Sequence, residues 1–289
     1  MCNLKTKIVD LGNYNIKIAE DIDFISTFSE VDDADQSETN VLEFQGTRYR
    51  MEYEEGSFDP EFNKAKKDYI PNLLWGLDKA GAFDGDEYRL ILGLPLNNLG
   101  QSEKLISGLK GKSFTYTTDT TKTITIKEVY VVGEGISSYY MLPASIREED
   151  IVIVDIGGRT CNVVEYSKKR VKETDTINIG MINFYDRIKV KFNNDEGEFV
   201  ETHNVKHLIQ RNVIPQYECV EDEFINDLMR KVEVKFSLGL GKKIIFTGGG
   251  SIILKSAITR YNNKFMFIDN PLYSNVKGNM KLAKAKGWL

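Results

Sequence analysis

The sequence predicts an α/β protein made of two similar domains, and three observations support this fold class. The chain has 289 residues, which exceeds one typical domain and is enough for two. Short apolar runs typical of buried strands occur together with segments in which apolar residues follow helical spacing. A motif near the N-terminus also returns half a chain later, which indicates an internal repeat.

The composition argues against several classes of protein. Hydrophobic residues make up 41% and charged residues 28% of the chain, an ordinary globular balance. The net charge of −5 argues against a generally basic nucleic-acid binder. Three cysteines, an odd number spread along the chain, fit a reducing cytoplasm better than a disulfide framework. The N-terminal segment lacks the long apolar run of a signal peptide or membrane span, so a soluble cytoplasmic protein is expected.

The repeated motif is an apolar run that ends in Asp-x-Gly. Ile8–Gly12 reads Ile-Val-Asp-Leu-Gly, and Ile153–Gly157 reads Ile-Val-Asp-Ile-Gly, 145 residues later. In each copy a polar turn and a second short apolar run follow, at 16–18 and at 163–164. This pattern is typical of a β-hairpin with an aspartate and a glycine near its tip. Two such hairpins predict two similar domains that face each other across a cleft.

A hairpin of this composition can hold phosphate through a metal ion. Glycine allows a ligand to approach the backbone closely, and successive N–H groups in a tight turn form an anion-binding nest. An aspartate would repel bare phosphate, but a hydrated Mg²⁺ can lie between them because it keeps several waters and needs few carboxylates. The two hairpins, with Asp10 and Asp155 as metal-binding residues, therefore predict a Mg-nucleotide held between the domains.

Two other glycine motifs do not fit the phosphate-binding signatures that they resemble. Gly111-Lys112-Ser113 looks like the end of a P-loop, but Ile106 stands where the first glycine is required. Gly133–Gly135 begins like a dinucleotide fingerprint, but Ser138 replaces its third glycine.

A third glycine motif lies late in the chain. Ile244–Thr247 is predicted to be a buried strand, Gly248–Gly250 a turn, and Ser251 the N-cap of the helix that follows. A strand, a glycine turn and a helix N-terminus favour close approach by a nucleotide.

The remaining periodic segments complete the α/β pattern. Tyr88–Leu92 and Val129–Val132 are predicted to be strands. Apolar residues at helical spacing predict a helix from Val220 to Phe236, with Gly239 as its stop signal.

Together these motifs resemble those of the actin, heat-shock chaperone and sugar kinase superfamily of ATPases. Asp10–Lys17 resembles the first phosphate motif, Asp155–Thr160 the second, and Thr247–Ser251 the adenosine motif. Val131–Tyr140 and Ser274–Asn279 resemble the two connecting segments. The five motifs occur in family order over nearly the whole chain. The Asp-x-Gly-Gly second motif and the short length look most like ParM-type bacterial actins.

The resemblance implies the actin-like fold. Two ribonuclease-H-like domains, each a mixed sheet flanked by helices, would surround a nucleotide cleft. Domain I would comprise residues 1–133, with a small subdomain at about 29–62. Domain II would comprise 134–289, of which 271–289 would return to domain I.

The resemblance also implies ATP and Mg²⁺ as cofactors, with GTP as an alternative nucleotide. Asp10 and Asp155 would orient waters on Mg²⁺, and Lys17 would place a positive charge near the β- and γ-phosphates. Glu134 matches the position that aligns the attacking water, although a glutamate before a helix also serves as a favourable N-terminal charge. The nucleotide-binding residues would be Gly12, Asn13, Tyr14, Asn15, Gly157, Gly158, Arg159, Thr160, Gly248, Gly249, Gly250 and Ser251.

Two residues depart from the ParM-like pattern. Asn162 stands where a second aspartate is usual, and asparagine can orient water but cannot act as a base; slow hydrolysis and a shifted role are both open. Arg159 replaces a small hydroxyl residue, and two interpretations remain: contact with phosphate or exposure to solvent.

The implied function is an ATPase that assembles head to tail into filaments and segregates plasmid DNA through an adaptor protein. Direct contact with nucleic acid or membrane is not expected. One alternative is a small-molecule kinase of the same superfamily, and another is a nucleotide-binding scaffold with little turnover. The acidic stretch Glu30–Asp35 and the C-terminal lysines with Trp288 are interpreted as either solvated surface or subunit contacts.

Overall fold

A computed structural model of the chain describes residues 4–31, 39–53, 68–239 and 241–289. The chain divides into two compact units: unit 1 is Met1–Tyr140 with Asn275–Leu289, and unit 2 is Met141–Ser274. The sequence placed these divisions a few residues earlier, near 133 and 270. Within the described ranges, no helix is long and apolar enough to cross a membrane.

Unit 1 is built on one mixed sheet, which has nine strands in the described part of the chain. The strands are β1 (Lys5–Leu11), β2 (Asn15–Ile18), β3 (Ile22–Ile25), β4 (Phe28–Val31), β5 (Val41–Phe44), β6 (Thr47–Met51), β7 (Glu87–Leu94), β8 (Lys112–Thr117) and β9 (Thr121–Gly133). The helices are α1 (Ile70–Lys79), α2 (Ser102–Leu109), the 3-10 helices Leu96–Gln101 and Ser137–Met141, and α9 (Ser274–Ala285), which belongs to unit 1 from Asn275 onward. The strand order is β3-β2-β1-β7-β9-β8-β5-β6-β4.

Unit 2 is built on a second mixed sheet with helices around it. The strands are β10 (Ile151–Ile156), β11 (Cys161–Ser167), β12 (Arg170–Ile177), β13 (Lys243–Thr247) and β14 (Met266–Phe267). The helices are α3 (Ala144–Arg147), α4 (Met181–Glu196), α5 (Thr202–Gln210), α6 (Glu218–Lys235), α7 (Gly249–Ile253), α8 (Lys255–Tyr261) and the 3-10 helix Pro271–Tyr273. The strand order is β12-β11-β10-β13-β14.

Five strands of the unit 1 sheet match the described sheet of unit 2 in order and direction, which confirms the fold class predicted from the repeat. In unit 1 the order β3-β2-β1-β7-β9 has antiparallel pairs on one side of β1 and parallel pairs on the other. In unit 2 the order β12-β11-β10-β13-β14 has the same directions around β10. Every residue of β10 is buried, as expected for a central strand with parallel pairing.

The region predicted as a small subdomain extends the sheet of unit 1. β4 and β5 both pair with β6, and β5 pairs with β8 at Phe44 and Tyr116. The first half of β9 pairs with β8 and its second half with β7, so one long strand joins both parts of the sheet. Residues 32–38 and 54–67, which include most of the acidic stretch, lie outside the described residues.

The predicted helix at 220–236 is confirmed as α6. Its apolar residues Phe224, Ile225, Leu228 and Val232 are fully buried in the core of unit 2. Phe236 lies just beyond the helix, where the chain becomes extended, and is also fully buried. The helix therefore packs through the stripe of residues that the spacing indicated.

Candidate functional site

The first hairpin joins β1 to β2 and places Asp10 beside Lys17. The two residues are directly opposite each other in the antiparallel register. Lys17 Nζ lies 3.4 Å from Asp10 Oδ2, and Asp10 is only 5% exposed. At the turn, a Cβ on Gly12 would collide with the carbonyl oxygen of Asn15, so this tight turn requires glycine.

The second hairpin joins β10 to β11 and has the same form. Gly157 N–H donates to the carbonyl oxygen of Thr160 at 2.9 Å, and a Cβ on Gly157 would also lie 2.9 Å from that oxygen. The first backbone amides of α4 donate hydrogen bonds to the carbonyl oxygens of this turn. Met181 N–H donates to Gly157 O at 3.0 Å, and Ile182 N–H donates to Gly158 O at 2.8 Å. The turn that was predicted to hold phosphate is therefore fixed by a helix N-terminus.

The two hairpins have the same strand register at the offset of 145 residues. Asp10 corresponds to Asp155, Gly12 to Gly157 and Asn15 to Thr160. The same offset makes Asn162 the counterpart of Lys17, because Asn162 lies opposite Asp155 in the register. Asn162 is 2% exposed, and its Oδ1 accepts a hydrogen bond of 2.8 Å from Thr176. Unit 1 thus has a cation at the position where unit 2 has a neutral amide. This correspondence can be read from the sequence, because Lys17 and Asn162 are 145 residues apart.

The late glycine motif packs directly against the second hairpin. Gly248 has φ of +82°, and a Cβ there would collide with Asp155 Oδ1. A Cβ on Gly250 would collide with the side chain of Ile156. Glycine therefore permits close packing of the start of α7 against the end of β10, and the adenosine motif predicted from sequence lies beside the second phosphate motif.

The structure corrects the predicted role of Ser251 as a helix N-cap. α7 begins at Gly249 with Gly248 as its N-cap, so Ser251 lies inside the helix. Its buried hydroxyl donates to Gly248 O at 2.8 Å. The sequence pattern favoured serine because its side chain can accept a helix amide. A residue without a side chain stands at the cap because Asp155 occupies the adjacent space.

Glu134 comes directly after β9 and lies close to Asp10. Its N–H donates to Leu94 O at 2.8 Å, and the residue is 8% exposed. The carboxylates of Asp10 and Glu134 both lie next to the position that a side chain at residue 93 of β7 would occupy. A Cβ on Gly93 would lie 3.8 Å from Asp10 Oδ1 and 3.8 Å from Glu134 Oε1. Unit 1 therefore brings together three of the predicted catalytic residues, and Gly93 is a site residue that sequence reasoning missed.

The two predicted connecting segments meet just after Glu134. Asn275 Oδ1 accepts hydrogen bonds from Gly135 N–H at 3.0 Å, Ser138 Oγ at 2.9 Å and Ser137 Oγ at 3.2 Å. A Cβ on Gly278 would collide with the Ser137 carbonyl, so α9 crosses this segment in close contact. The backbone that carries Glu134 is thereby held from α9.

Several features of the hairpins fit a nucleotide bound with a hydrated Mg²⁺. In the described residues, no group of three or more His, Cys, Asp or Glu side chains is arranged so that it could hold a metal ion. Mg²⁺ does not need such a group, because it is held by few carboxylates and keeps its waters. At the first turn, Asn13 Oδ1 is buried without a hydrogen-bond partner in the described structure, and such an atom is expected to find a donor in water or ligand. The backbone of the turn is fixed separately, since Ser26 Oγ donates to Asn13 O at 2.9 Å.

Cys161, beside the second hairpin, has no features of a nucleophile. It is fully buried, and this burial, together with the nearby charge of Asp155, raises its pKa well above the ordinary thiol value. A thiol in this state stays protonated and unreactive.

The chain is similar to known proteins at the level of three-dimensional structure. No protein-family model and no curated protein matches this sequence. Among solved structures, a ParM from Clostridium botulinum, described as a 15-stranded filament, has a TM-score of 0.79 at 19% identity, covering 98% of this chain and 99% of that chain. Ta0583, an archaeal actin homologue in complex with ADP, has a TM-score of 0.78 at 16% identity, covering 97% and 99%.

A third solved structure, an Alp12 filament, has a TM-score of 0.64 at 20% identity and covers 98% of this chain and 99% of that one. These similarities extend over nearly the full length of each protein, and they agree with the matching topology of the two sheets. The chain has the actin-like fold found in plasmid ParM proteins and archaeal actin homologues.

Proposed function

We propose that this protein is a cytoplasmic ATPase that polymerises head to tail into filaments when it binds ATP and Mg²⁺. The observation that carries this proposal is the repetition of one hairpin geometry, with a buried aspartate and a crowded glycine turn, in both units. A turn of this kind exposes backbone donors to an anion at close range. Two such turns in one chain suit a polyphosphate better than a single anion.

The solved structures with this fold support the same proposal. The Clostridium botulinum ParM and Alp12 are described as filaments, and the archaeal homologue was crystallised with ADP. Filament assembly requires a head-to-tail contact that does not close into a ring. ATP would favour the polymerising form of the chain, and hydrolysis would destabilise the filament.

The residues of unit 1 provide the parts that ATP hydrolysis requires. Lys17 offsets negative charge on the transferred phosphoryl group, and Asp10 orients water. Glu134 aligns the attacking water and accepts its proton. The water oxygen forms a bond to the γ-phosphorus, the bond from the γ-phosphorus to the bridging oxygen breaks, and its electron pair remains on ADP. When bound, Mg²⁺ neutralises charge on the phosphates.

The residues of unit 2 are suited to binding more than to proton transfer. Asp155 would hold water on Mg²⁺, and the Gly157–Thr160 turn would bind phosphate. Gly248–Gly250 would contact the nucleoside through the backbone, because these glycines bring the start of α7 close to the end of β10. Asn162 cannot accept a proton as a base, which fits this division of roles.

We further propose that the filaments move plasmid DNA through an adaptor protein. The chain carries 38 basic and 43 acidic residues, so non-specific attraction to the phosphates of DNA is weak. Contact through an adaptor is therefore more consistent with the charge than direct binding.

The proposal is tested by light scattering and electron microscopy of the purified chain with Mg²⁺ and ATP, GTP, ADP or a non-hydrolysable ATP analogue. Filaments are expected with the triphosphates that bind and with the analogue, and phosphate release is expected to follow assembly with ATP. Filaments that persist with the analogue but disassemble with ATP would support coupling to hydrolysis. Absence of filaments at every protein concentration tested would contradict the proposal, and transfer of phosphate to an added metabolite would indicate a kinase.

A further inference from the structure

Gly93 is a glycine within a run of buried residues in the unit 1 sheet. It belongs to β7, between Leu92 and Leu94, which are both fully buried. Glycine weakens a strand because it costs more conformational entropy and packs no side chain, so it often marks a place where another group must come close. Its backbone does not have positive φ, so the conformation alone does not require glycine.

The neighbours of Gly93 show what the missing side chain leaves open. A Cβ at this position would lie 3.4 Å from Glu134 Cγ, 3.8 Å from Glu134 Oε1 and 3.8 Å from Asp10 Oδ1. These are ordinary van der Waals distances, so a methyl group would fit without collision. It would nevertheless occupy space that borders an oxygen of each carboxylate.

The two oxygens of Asp10 have different surroundings. Oδ2 faces the Lys17 ammonium at 3.4 Å. Oδ1 borders the position that a side chain at residue 93 would occupy, and Glu134 Oε1 borders the same position. Asp10 therefore connects a cation on one side with a carboxylate-lined space on the other, an arrangement that can hold and orient water.

Comparison of the two units shows that this space is specific to unit 1. The register of β1 with β7 pairs Val9 with Leu92, so the next step places Asp10 beside Gly93. In unit 2 the corresponding pair is Asp155 and Thr247. Thr247 is fully buried, and its hydroxyl lies 2.6 Å from that of Ser274. The half of the molecule with the glutamate has a glycine where the other half has a larger, hydrogen-bonded residue.

We infer that Gly93 is a positioning residue for the attacking water: its lack of a side chain keeps open the space in which water is held between Asp10 and Glu134. This inference rests on the proposed ATPase function and deepens it. A water that bridges both carboxylates must lie within about 3 Å of each oxygen, in the region that borders Gly93. Displacement of this water slows hydrolysis without removing any group that binds the nucleotide.

The test compares Gly93→Ala with wild type and with Gly100→Ala as a matched control. Gly100 lies in the 3-10 helix after β7, and a Cβ there would meet no atom within 4 Å. For each protein, kcat for phosphate release and the Kd of a fluorescent ATP analogue are measured, together with the midpoint of thermal unfolding. We expect Gly93→Ala to lower kcat by at least about 10-fold, since small displacements of reacting groups have effects of up to about 100-fold. Its Kd is expected to change less than about 3-fold, and Gly100→Ala is expected to match wild type.

The outcomes separate this inference from the proposed function. If wild type binds and hydrolyses no ATP, the proposed function fails and the inference falls with it. If wild type hydrolyses ATP and Gly93→Ala retains its kcat, only the role of Gly93 is overturned. A large rise in Kd together with a fall in kcat would show that the space holds nucleotide instead of water. A marked fall in the unfolding midpoint would also overturn the inference, because it would show that the space beside Gly93 is filled.

Discussion

Lys17 and Asn162 occupy the same position in the two units of the molecule. Lys17 lies opposite Asp10 across the first hairpin, and Asn162 lies opposite Asp155 across the second. The lysine forms an ion pair with its aspartate, whereas the asparagine accepts a hydrogen bond from Thr176. The residue opposite the aspartate is thus a charged lysine in unit 1 and an uncharged asparagine in unit 2, which favours different roles for the two hairpins.

Replacement of Lys17 by methionine should therefore slow ATP hydrolysis strongly. The variant keeps much of the side-chain length but loses the charge next to Asp10, and loss of one electrostatic contact in an active site reduces turnover by roughly 100-fold. Phosphate release at saturating ATP measures this effect. Lys127→Met is the control, since Lys127 is half-exposed on β9 and pairs with Glu87; equal losses in both variants would rule out a specific role for Lys17.

The first hairpin should tolerate substitution of its glycine less well than the second. A Cβ on Gly12 would collide with the Asn15 carbonyl, whereas a Cβ on Gly157 would lie 2.9 Å from the Thr160 carbonyl. Crowding of this kind destabilises proteins by about 1–3 kcal/mol, and Gly12→Ala should lie at the upper end. Urea unfolding of both variants measures the difference. Gly239→Ala, which would meet no atom within 4 Å, should remain close to wild type, and a larger loss for Gly157→Ala than for Gly12→Ala would contradict the geometry.

Glu165 should make the stability of unit 2 depend on pH. Burial opposes its ionisation, but hydrogen bonds from Lys172 and Lys242, each at 2.9 Å, outweigh this and hold its pKa below the ordinary value of 4.5. Because the folded pKa is lowered, the stabilisation is present above pH 4.5 and is lost as the pH falls through the folded pKa. Glu165→Gln should therefore reduce the free energy of unfolding by roughly 1–3 kcal/mol at pH 7, with the difference from wild type shrinking in more acidic solution.

Urea unfolding between pH 7 and pH 3 tests the prediction for Glu165. Glu148→Gln is the control, because Glu148 forms an exposed pair with Lys169 and such pairs contribute little. The predicted sign would be wrong if the difference in the free energy of unfolding between Glu165→Gln and wild type increased as the pH fell.

The C-terminal segment should stabilise unit 1 through Trp288. Its ring stacks on Tyr130 of β9 with centroids 4.1 Å apart, and its carbonyl oxygen accepts a hydrogen bond of 2.5 Å from Arg89. Trp288→Ala should lower the free energy of unfolding by at least about 1 kcal/mol, because stacked aromatic pairs contribute beyond the area that they bury. Leu289→Ala, at a half-exposed position, should have little effect. Equal stability of both variants would show that the stack contributes nothing.

The parts of the fold that follow from local pattern were predictable from sequence. The two hairpins, the strand before Gly248 and helix α6 depend on apolar spacing and turn residues within one short segment, and each is found in the structure. The counterpart relationship of Lys17 and Asn162 was also contained in the 145-residue offset.

Features that depend on neighbours distant in sequence were not predictable. Ser251 looked like a helix cap, but α7 begins at Gly249 because Asp155, almost a hundred residues earlier, leaves no room for a side chain at Gly248. The role inferred for Gly93 depends on the pairing of β7 with β1 and with β9, because this pairing brings Gly93 close to Asp10 and Glu134. The joining of β4–β6 to the large sheet likewise depends on the pairing of Phe44 with Tyr116.

The central proposal, that the hairpins of Asp10 and Asp155 take part in binding a magnesium nucleotide, is tested most directly by an equilibrium titration with a fluorescent ATP analogue. Wild type, Asp10→Asn and Asp155→Asn would be compared below the concentration at which filaments form, with Mg²⁺ and again after its removal by a chelator. The account predicts one nucleotide bound per chain, at least about 10-fold weaker binding for each variant, equivalent to about 1.4 kcal/mol, and a similar loss for wild type without Mg²⁺. Binding that is unchanged by either substitution, or by removal of Mg²⁺, would contradict it.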